Sequence, residues 1–524
     1  MTDTLNNSTR SQAGIGRLLI RADASVSMGS GHVMRCLAIA QAWQDAGGEV
    51  TFVCAEVIAT LADRLAGEGC ELISIEAPAG SLSDANSVIE IATITSATAL
   101  VFDGYRFGQE YDQRIALLRV PTLAIDDYGN VPHYLASFVL NQNLAASPSL
   151  YEHCSARTEL LLGTKYALLR REFLRQNNWK TREYGNTQVL VTLGGSDADN
   201  ITEKVLRAII PTANSRNLKI RVVLGGLNPH VKAIAKFAKN HTFVDVHVNV
   251  SDMSEHYHWA DLAITAGGRS NWEMCYFGLP RILIVTADNQ RGIAEQLADY
   301  EIAQNLGSAK DFIANELVQT VCNQLSDHTW MDHARKIAAS LVDGQGARRV
   351  VTKLINKPFN AFDRSFDDKL VITKEKLDRL VLRNATLDDA EILWIWRNDV
   401  VTRKASRNSD SVPWHDHIRW LNKYLARPEQ VLLVAEIKGV PVGTVRIDNG
   451  DVSWTVAPRA RGCGVGRKMV TEVVRTANVP LKAVAHSSNI GSQAIAMAAG
   501  FRQHSQEGEW LTFFRPVNCE SATQ

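Results

Sequence analysis

The chain has 524 residues, 45% hydrophobic and 21% charged, an ordinary globular balance that is too long for one core and suits about three domains. Lys+Arg and Asp+Glu both number 56, so no charge excess points to DNA, RNA or an acidic membrane surface. No apolar run reaches the ~18 residues of a spanning helix, and the opening MTDTLNNSTRSQAG has no signal-peptide core.

Residues 1–16 are therefore expected to be a disordered lead-in. The eight cysteines are scattered without a CxxC, which fits a reduced, cytoplasmic protein. From 17 to 150, short apolar runs (18–20, 50–53, 72–75, 100–102, 122–125, 138–140) alternate with helical stretches. That alternation predicts a parallel sheet covered on both faces, with ligands beyond the strands' carboxyl ends.

The first run leads through RADASVSMGSGHVMRCLAIA (21–40) into the turn Gly29-Ser30-Gly31 and a helix with Val33, Cys36, Leu37 and Ala40 at helical spacing. Such a turn lets backbone N–H groups approach a phosphate, and the helix start adds partial positive charge. His32 stands on the first turn and Arg35 on the next, so an imidazole lies beside a candidate anion site. Arg35 is read as pairing either with phosphate or with Asp23. Asp103-Gly104-Tyr105 and Asp126-Asp127 follow later strands and share the crevice. The second pair either polarises hydroxyls or caps a turn.

A connector is expected over 151–186. A second alternating block, 187–355, has strands near 189–193, 220–224, 262–265 and 282–285. Gly194-Gly195, Gly225-Gly226 and Gly267-Gly268 follow three of them. Gly267-Gly268 leads into a helix opening at Ser270, with Glu273 on its first turns, again aiming N–H groups at phosphate. Gly195 and Ser196 are further candidates. Two doubly wound halves facing a cleft describe the GT-B architecture of nucleotide-sugar enzymes. His256 and His258 fall in SEHYHWADL, read as a surface helix, and without further ligands at metal spacing no metal is expected.

A charged linker is expected over 356–376, and a third block over 377–517. It contains WRND, strands around 431–435, 442–447, 452–456 and 482–485, and the turn Lys438-Gly439. Arg461, Gly464 and Gly466 form R-x-x-G-x-G after the strand at 452–456 and before a helix at 467–476. Glycines there bare N–H groups to a pyrophosphate.

The pieces RADASVSMGSGHVMRCLAIA, FDGY, IDDY, YALLRREF, LGGSDADN and TAGGRSNWEMCYFGLPRILIVTADNQ resemble, in this order, the hydrolases of the pseudaminic acid pathway over roughly 17–350. Those enzymes cleave UDP-2,4-diacetamido-2,4,6-trideoxy-β-L-altropyranose to the free sugar and UDP. The resemblance implies His32 as general base, against a binding role like that of the similar turn in MurG-like glycosyltransferases. It places Tyr105 and Asn289 near the reacting sugar. UDP is then expected around Gly29, Gly31, Arg35, Gly195, Ser196, Gly268 and Ser270. Glu273 accepts from the ribose hydroxyls or merely complements its helix dipole.

The third block resembles the GNAT acetyltransferases. This implies acetyl-CoA as co-substrate, with Val456 offering backbone groups to the pantetheine arm. Arg461, Gly464, Gly466 and Arg467 are then expected around the diphosphate, and Asn489 and Ser492 downstream. Ala496 stands where many GNAT enzymes carry an acidic tyrosine. His417 and His486 are read as alternative acid–base groups or ordinary histidines.

The expectation is an α/β protein with two Rossmann-like halves in a GT-B arrangement followed by an α/β GNAT domain. It is read as a bifunctional enzyme with UDP-sugar and acetyl-CoA as ligands, and no nucleic-acid or membrane partner. The alternatives are a GT-B glycosyltransferase, or a hydrolase of a related nucleotide sugar with a non-catalytic GNAT domain.

Overall fold

The computed structural model describes residues 14–175, 188–357 and 372–516, apart from Val26, Ser27, Leu117, Arg119, Asn130, His153, Ala156, Ser196 and Leu227. The expected lead-in up to Ala13, most of the expected linker and the Ser196 candidate lie outside these residues. The chain divides after Lys357 into two compact units.

The first unit holds two parallel sheets. Strands β1 (Arg17–Ala22), β2 (Glu49–Cys54), β3 (Glu71–Ser74), β4 (Ala97–Asp103), β5 (Thr122–Ile125), β6 (Phe138–Asn141) and β7 (Glu159–Leu162) take the order β3-β2-β1-β4-β5-β6-β7. Strands β5 and β6 are buried along their whole length, which is why they read as unbroken apolar runs. Strand β7 falls inside the expected connector, which therefore completes the first sheet. ELLL is too short to show a period, and its pairing with β6 is what buries Leu161.

The second sheet contains β8 (Gln188–Thr192), β9 (Lys219–Leu224), β10 (Val244–Val248), β11 (Leu262–Ala266), β12 (Arg281–Val285) and β13 (Ala303–Ser308), in the order β10-β9-β8-β11-β12-β13. Strands β10 and β13 are additional to the expected four. Both are edge strands, half-exposed and polar, so they lack the apolar signature of a central strand. Strand order reverses between β1 and β4 and again between β8 and β11. Both reversals are topological switch points, where crevices open.

Helix α1 (Gly31–Asp45) leaves β1, α2 (Ser254–Trp259) precedes β11, α3 (Ser270–Tyr276) follows it, and α4 (Gly346–Asn356) comes last. Helix α4 returns to the first half: Ala347, Val350, Val351 and Leu354 join the core of Leu18, Val33 and Leu37. Gly346 permits this, because a Cβ there would sit 2.1 Å from the Ala167 carbonyl oxygen.

The second unit is one mixed sheet of β14 (Leu380–Asn384), β15 (Val431–Ile437), β16 (Val440–Asp448), β17 (Asp451–Val456), β18 (Leu481–His486), β19 (Arg502–Glu507) and β20 (Trp510–Arg515), ordered β14-β15-β16-β17-β18-β20-β19. Lys438 and Gly439 both have positive φ (54° and 76°), the conformation a two-residue hairpin turn requires. Around the sheet lie α5 (Trp414–Leu425), α6 (Val465–Thr476) and α7 (Ile490–Ala498). Strands β17 and β18 are parallel and register only through Asp451–Lys482 and Val452–Ala483, so the sheet opens toward Val456 and His486. No helix among the described residues is long and apolar enough to cross a membrane.

Candidate active sites

In the first half, β1 ends at Ala22, the turn reverses at Gly29 (φ 79°), and α1 begins with an N-cap, Ser30, that makes no side-chain capping bond. The first N–H groups of α1 therefore keep their capacity for an anion. His32 is buried, and its Nδ1–H donates to Asp103 Oδ1 (2.7 Å) at the end of β4. Burial acts to raise the Asp103 carboxyl, but Arg35 and His32 outweigh it and hold it well below the carboxylate range. An ionised Asp103 only accepts, so Nδ1 carries the proton of this bond and Nε2 is the ring nitrogen turned away from Asp103. Tyr105 packs edge-on against the ring at 4.8 Å. Burial pushes its phenol up to about 12, so it remains protonated at neutral pH.

Of the two partners weighed for Arg35, Asp23 gives way. The Arg35 guanidinium meets Asp103, on both carboxylate oxygens, and Asp127 (Nη1 to Oδ1, 2.8 Å). Asp23 belongs instead to Arg21 (2.6 Å) and to the Ala55 and Glu56 N–H groups. Arg21 is buried on β1 and also forks onto Asp84 (2.9 Å to each oxygen). Asp126 accepts from Gly129 N–H (2.5 Å) and Tyr151 OH (2.7 Å), the turn-capping alternative for that residue.

In the second half, Asn271 ties its side-chain amide to the Ala266 (2.9 Å) and Gly268 (2.7 Å) carbonyls, while buried Arg281 donates to the Asn271 carbonyl (2.8 Å). These bonds set the turn from β11 into α3. Gly268, Gly194 and Gly195 face open space, where a Cβ would meet nothing within 4 Å, and Ser270 opens α3. Gly225 is a packing glycine: its Cβ would lie 2.3 Å from the Gly195 oxygen. Asp197 already caps the helix Ile201–Arg216 through the Ile201 (2.8 Å) and Thr202 (3.0 Å) N–H groups, leaving the start of α3 as the better anion site of this half.

Glu273 accepts from Tyr257 OH (2.9 Å) and lies 3.4 Å from Arg170. Burial raises its carboxyl in spite of both. Helix α2 is not the expected surface helix: His256 and Tyr257 are buried, the first against His247 (ring centroids 4.8 Å) and the second against Glu273. Among the described residues no group of three or more His, Cys, Asp or Glu could hold a metal ion.

Arg269, which the sequence reading passed over, joins the halves. It donates to Tyr105 OH (3.0 Å) and Asp127 Oδ2 (3.2 Å), and it lies where a Cβ on Gly31 would come within 2.9 Å of its Nη1. Its signal was a cation at the mouth of a glycine turn. Asn289 is exposed, and its carbonyl accepts from Tyr128 OH (3.2 Å) across the same cleft. The two switch points thus face one another, with His32, Tyr105 and Arg35 on one wall and Gly268, Arg269 and Ser270 on the other.

In the second unit the loop before α6 holds Gly462 and Gly464 in left-handed conformation (φ 77° and 82°), both exposed, with Arg467 exposed on the first turn of the helix. Val456 ends β17 where β18 has parted from it, leaving one edge of its backbone unpaired by that neighbour. Arg461 is not free beside the loop: it donates to Asp399 Oδ2 (2.6 Å) and Thr402 Oγ1 (2.9 Å). Gly466 is buried, and its Cβ would strike Ile495 at 2.5 Å and Val456 at 3.0 Å, so its smallness lets α6 dock. Asn489 caps α7 by accepting from Ser492 N–H (3.0 Å).

Residues 188–341 match the glycosyltransferase family 28 C-terminal domain, and residues 379–502 match the acetyltransferase (GNAT) domain. The chain thus joins a segment that matches the one domain to a segment that matches the other. An uncharacterized protein of Methanocaldococcus jannaschii is 22% identical over 520 residues, 94% of this chain and 99% of that one. The UDP-2,4-diacetamido-2,4,6-trideoxy-β-L-altropyranose hydrolase of Campylobacter jejuni is 27% identical over 246 residues, 45% of this chain and 81% of that one. Among solved structures, MurG of Acinetobacter baumannii is 16% identical with a TM-score of 0.47, covering 66% of this chain and 99% of that one. The family 28 segment implies a nucleotide-sugar ligand, and the GNAT domain implies acetyl-CoA.

Within the GNAT domain, Ala496 is fully buried and offers no acid. His486 lies at the opening, with Nδ1 against Ser488 Oγ (2.7 Å) and Nε2 against Glu509 (3.2 Å). His417 is a core residue whose Nε2–H donates to the Ala390 carbonyl (2.8 Å). Burial pushes its imidazole down to about 4, the carbonyl opposing only in part. Between the unfolded value near ~6.5 and the folded one, the unfolded chain binds a proton that the native state does not. GNAT-domain stability should therefore fall by about 3 kcal/mol as pH drops through that window. His417→Gln, which keeps a donor for Ala390, should flatten the dependence in urea unfolding between pH 7 and 4.5. An undiminished slope would move the effect to another group.

Proposed function

We propose that residues 17–355 hydrolyse a UDP-linked 2,4-diacetamido-2,4,6-trideoxy sugar to free sugar and UDP. In the step before it, residues 377–517 transfer acetyl from acetyl-CoA to the 4-amino group of the UDP-linked precursor. The observation that carries the first half is the buried His32–Asp103 pair beside the uncapped start of α1, opposite the α3 turn. In this reading His32 Nε2 takes a proton from water, the water oxygen bonds to the anomeric carbon, and the bond to UDP breaks with its electron pair leaving on the diphosphate. Asp103 stabilises the imidazolium that forms. N–H groups around Gly29, Gly31, Gly268 and Ser270 receive the diphosphate charge, with Gly195 beside them. Tyr105 and Asn289 address the sugar, and Glu273 accepts from the ribose hydroxyls. Arg35 braces Asp103 and Asp127 beside the diphosphate.

In the GNAT domain the neutral amine attacks the thioester carbonyl, the C–S bond breaks with its electron pair leaving on the CoA sulfur, and the proton lost by the nitrogen goes to that thiolate, so acetyl transfer should weaken at low pH. The pantetheine follows the unpaired edge of Val456. Its diphosphate meets Gly464, Gly466 and Arg467, with Arg461 and the Asn489–Ser492 cap bordering the loop. The family 28 match favours a second reading, a glycosyltransferase that passes the sugar to a carbohydrate.

Incubating the full chain with the UDP-4-amino sugar and acetyl-CoA separates these readings. CoA release followed by UDP release with no carbohydrate acceptor is the expected result. UDP release that waits for an added carbohydrate makes the first unit a transferase, and absence of both releases refutes the proposal.

A further inference from the structure

The GNAT domain brings together two arginines without giving either an acid. Arg397 lies on the helix Ala390–Asn398 and Arg403 on the short helix Val400–Lys404. Arg397 Nη2 donates to the Asn408 carbonyl (3.0 Å) and Arg403 Nη1 to the adjacent Ser409 carbonyl (3.4 Å). Among the described residues neither forms an ion pair. The carboxylate between them in sequence, Asp399, is taken by Arg461. Arg397 Nη1 and Arg403 Nε are buried with no hydrogen-bond partner. Burial, and then the neighbouring Arg403, lower the pKa of Arg397, as expected of two converging cations. Buried donors are rarely left orphaned, and paired guanidinium forks match a ligand with two adjacent anionic groups.

The register shows which substrate this faces. Val456 packs on Gly466 of α6, and Val452 and Val456 share a face of β17. Val452 pairs with Ala483, so Ala483 and Ala485 share the α6 face and His486 takes the opposite one. Trp510 pairs with His486, and the Arg407 guanidinium lies over its ring at 5.8 Å. The loop that anchors Arg397 and Arg403 therefore reaches the face opposite α6, while Asp399 and Thr402 between the two arginines border the phosphate loop through Arg461. A donor entering along the α6 face leaves the opposite face to the acceptor.

We propose that Arg397 and Arg403 hold the diphosphate of the nucleotide that carries the acceptor amine. This rests on the reading of the GNAT domain as acting on a nucleotide-linked amino sugar. Phosphate oxygens are stronger acceptors than the Asn408 and Ser409 carbonyls, and a diphosphate replaces them as the two guanidiniums turn to it.

The test measures CoA release by the full chain. In Arg397→Gln/Arg403→Gln the KM for the UDP-4-amino sugar should rise about 10- to 100-fold, with the KM for acetyl-CoA unchanged. The same amino sugar without UDP should be acetylated with equal KM by both proteins. Inorganic pyrophosphate should compete with the nucleotide amine in the native chain and lose that effect in the variant. An unchanged amine KM overturns the proposal. A rise in the acetyl-CoA KM instead also overturns it, because the pair then serves the CoA diphosphate. If the double variant does not fold, Arg403→Lys, which keeps charge but loses the fork, carries the same test. Should no UDP-amino sugar be acetylated at all, calorimetric titration with pyrophosphate still decides. One equivalent fewer in the variant sustains the site while the acetyltransferase reading fails, and equal stoichiometry overturns the site.

Discussion

In the full chain carrying His32→Ala, UDP release is expected to fall by about 10²- to 10⁴-fold, the usual worth of a positioned general base. CoA release should be unaffected, since it belongs to the other unit. Asp103→Asn tests the same geometry from the other side. The amide removes the charge that stabilises an imidazolium, and it can donate to Nδ1 and so move the ring proton to Nε2. A kcat loss of similar order, with KM for the nucleotide sugar little changed, is the expected pattern. Retention of more than a tenth of native kcat by His32→Ala would remove the imidazole from the chemistry. A loss appearing only in KM would leave it as a binding group.

Arg35→Met is expected to cost the first unit about 3–5 kcal/mol, the range for breaking a buried ion pair and leaving its partners uncompensated. Two carboxylates are involved, Asp103 and Asp127, both buried and both bonded to this one guanidinium. Burial raises each carboxyl and Arg35 leads the groups that lower it, with the net direction downward in both. The stability they contribute is thus fully present above the unfolded carboxylate value near ~3.9 and is lost as pH falls through the folded values. Without Arg35 both carboxyls titrate higher, so native and variant chains should converge in stability as pH is lowered below ~4. Urea unfolding at pH 7 and pH 3.5 measures both effects. A cost under ~1 kcal/mol at pH 7 would mean that Arg35 is dispensable to the wall and free for phosphate.

Much of the site could be read in one dimension because its parts are local. The turn of Gly29 to Gly31, His32 behind it, and Gly268 before α3 are each a strand, a glycine turn and a helix start within a few residues. What escaped were partnerships between distant segments. Asp103 lies 71 residues from His32, and Asp127 lies 92 from Arg35. Arg269 reaches Tyr105 across 164 residues and Arg461 reaches Asp399 across 62. Nothing in the spacing of either member indicates the other.

By itself, the order of residues determined two runs of alternating apolar strands and helices, hence two parallel sheets with switch-point crevices, and a third block built on an R-x-x-G-x-G turn. These follow from periodicity and glycine chemistry, which act over a turn or a strand. Only the folded chain decided that ELLL closes the first sheet, that α4 packs back on the first half, and that α2 is buried. It also decided which carboxylate each arginine meets. Those outcomes depend on which surfaces are brought together, and burial makes an ion pair compulsory only once water has been excluded from both partners.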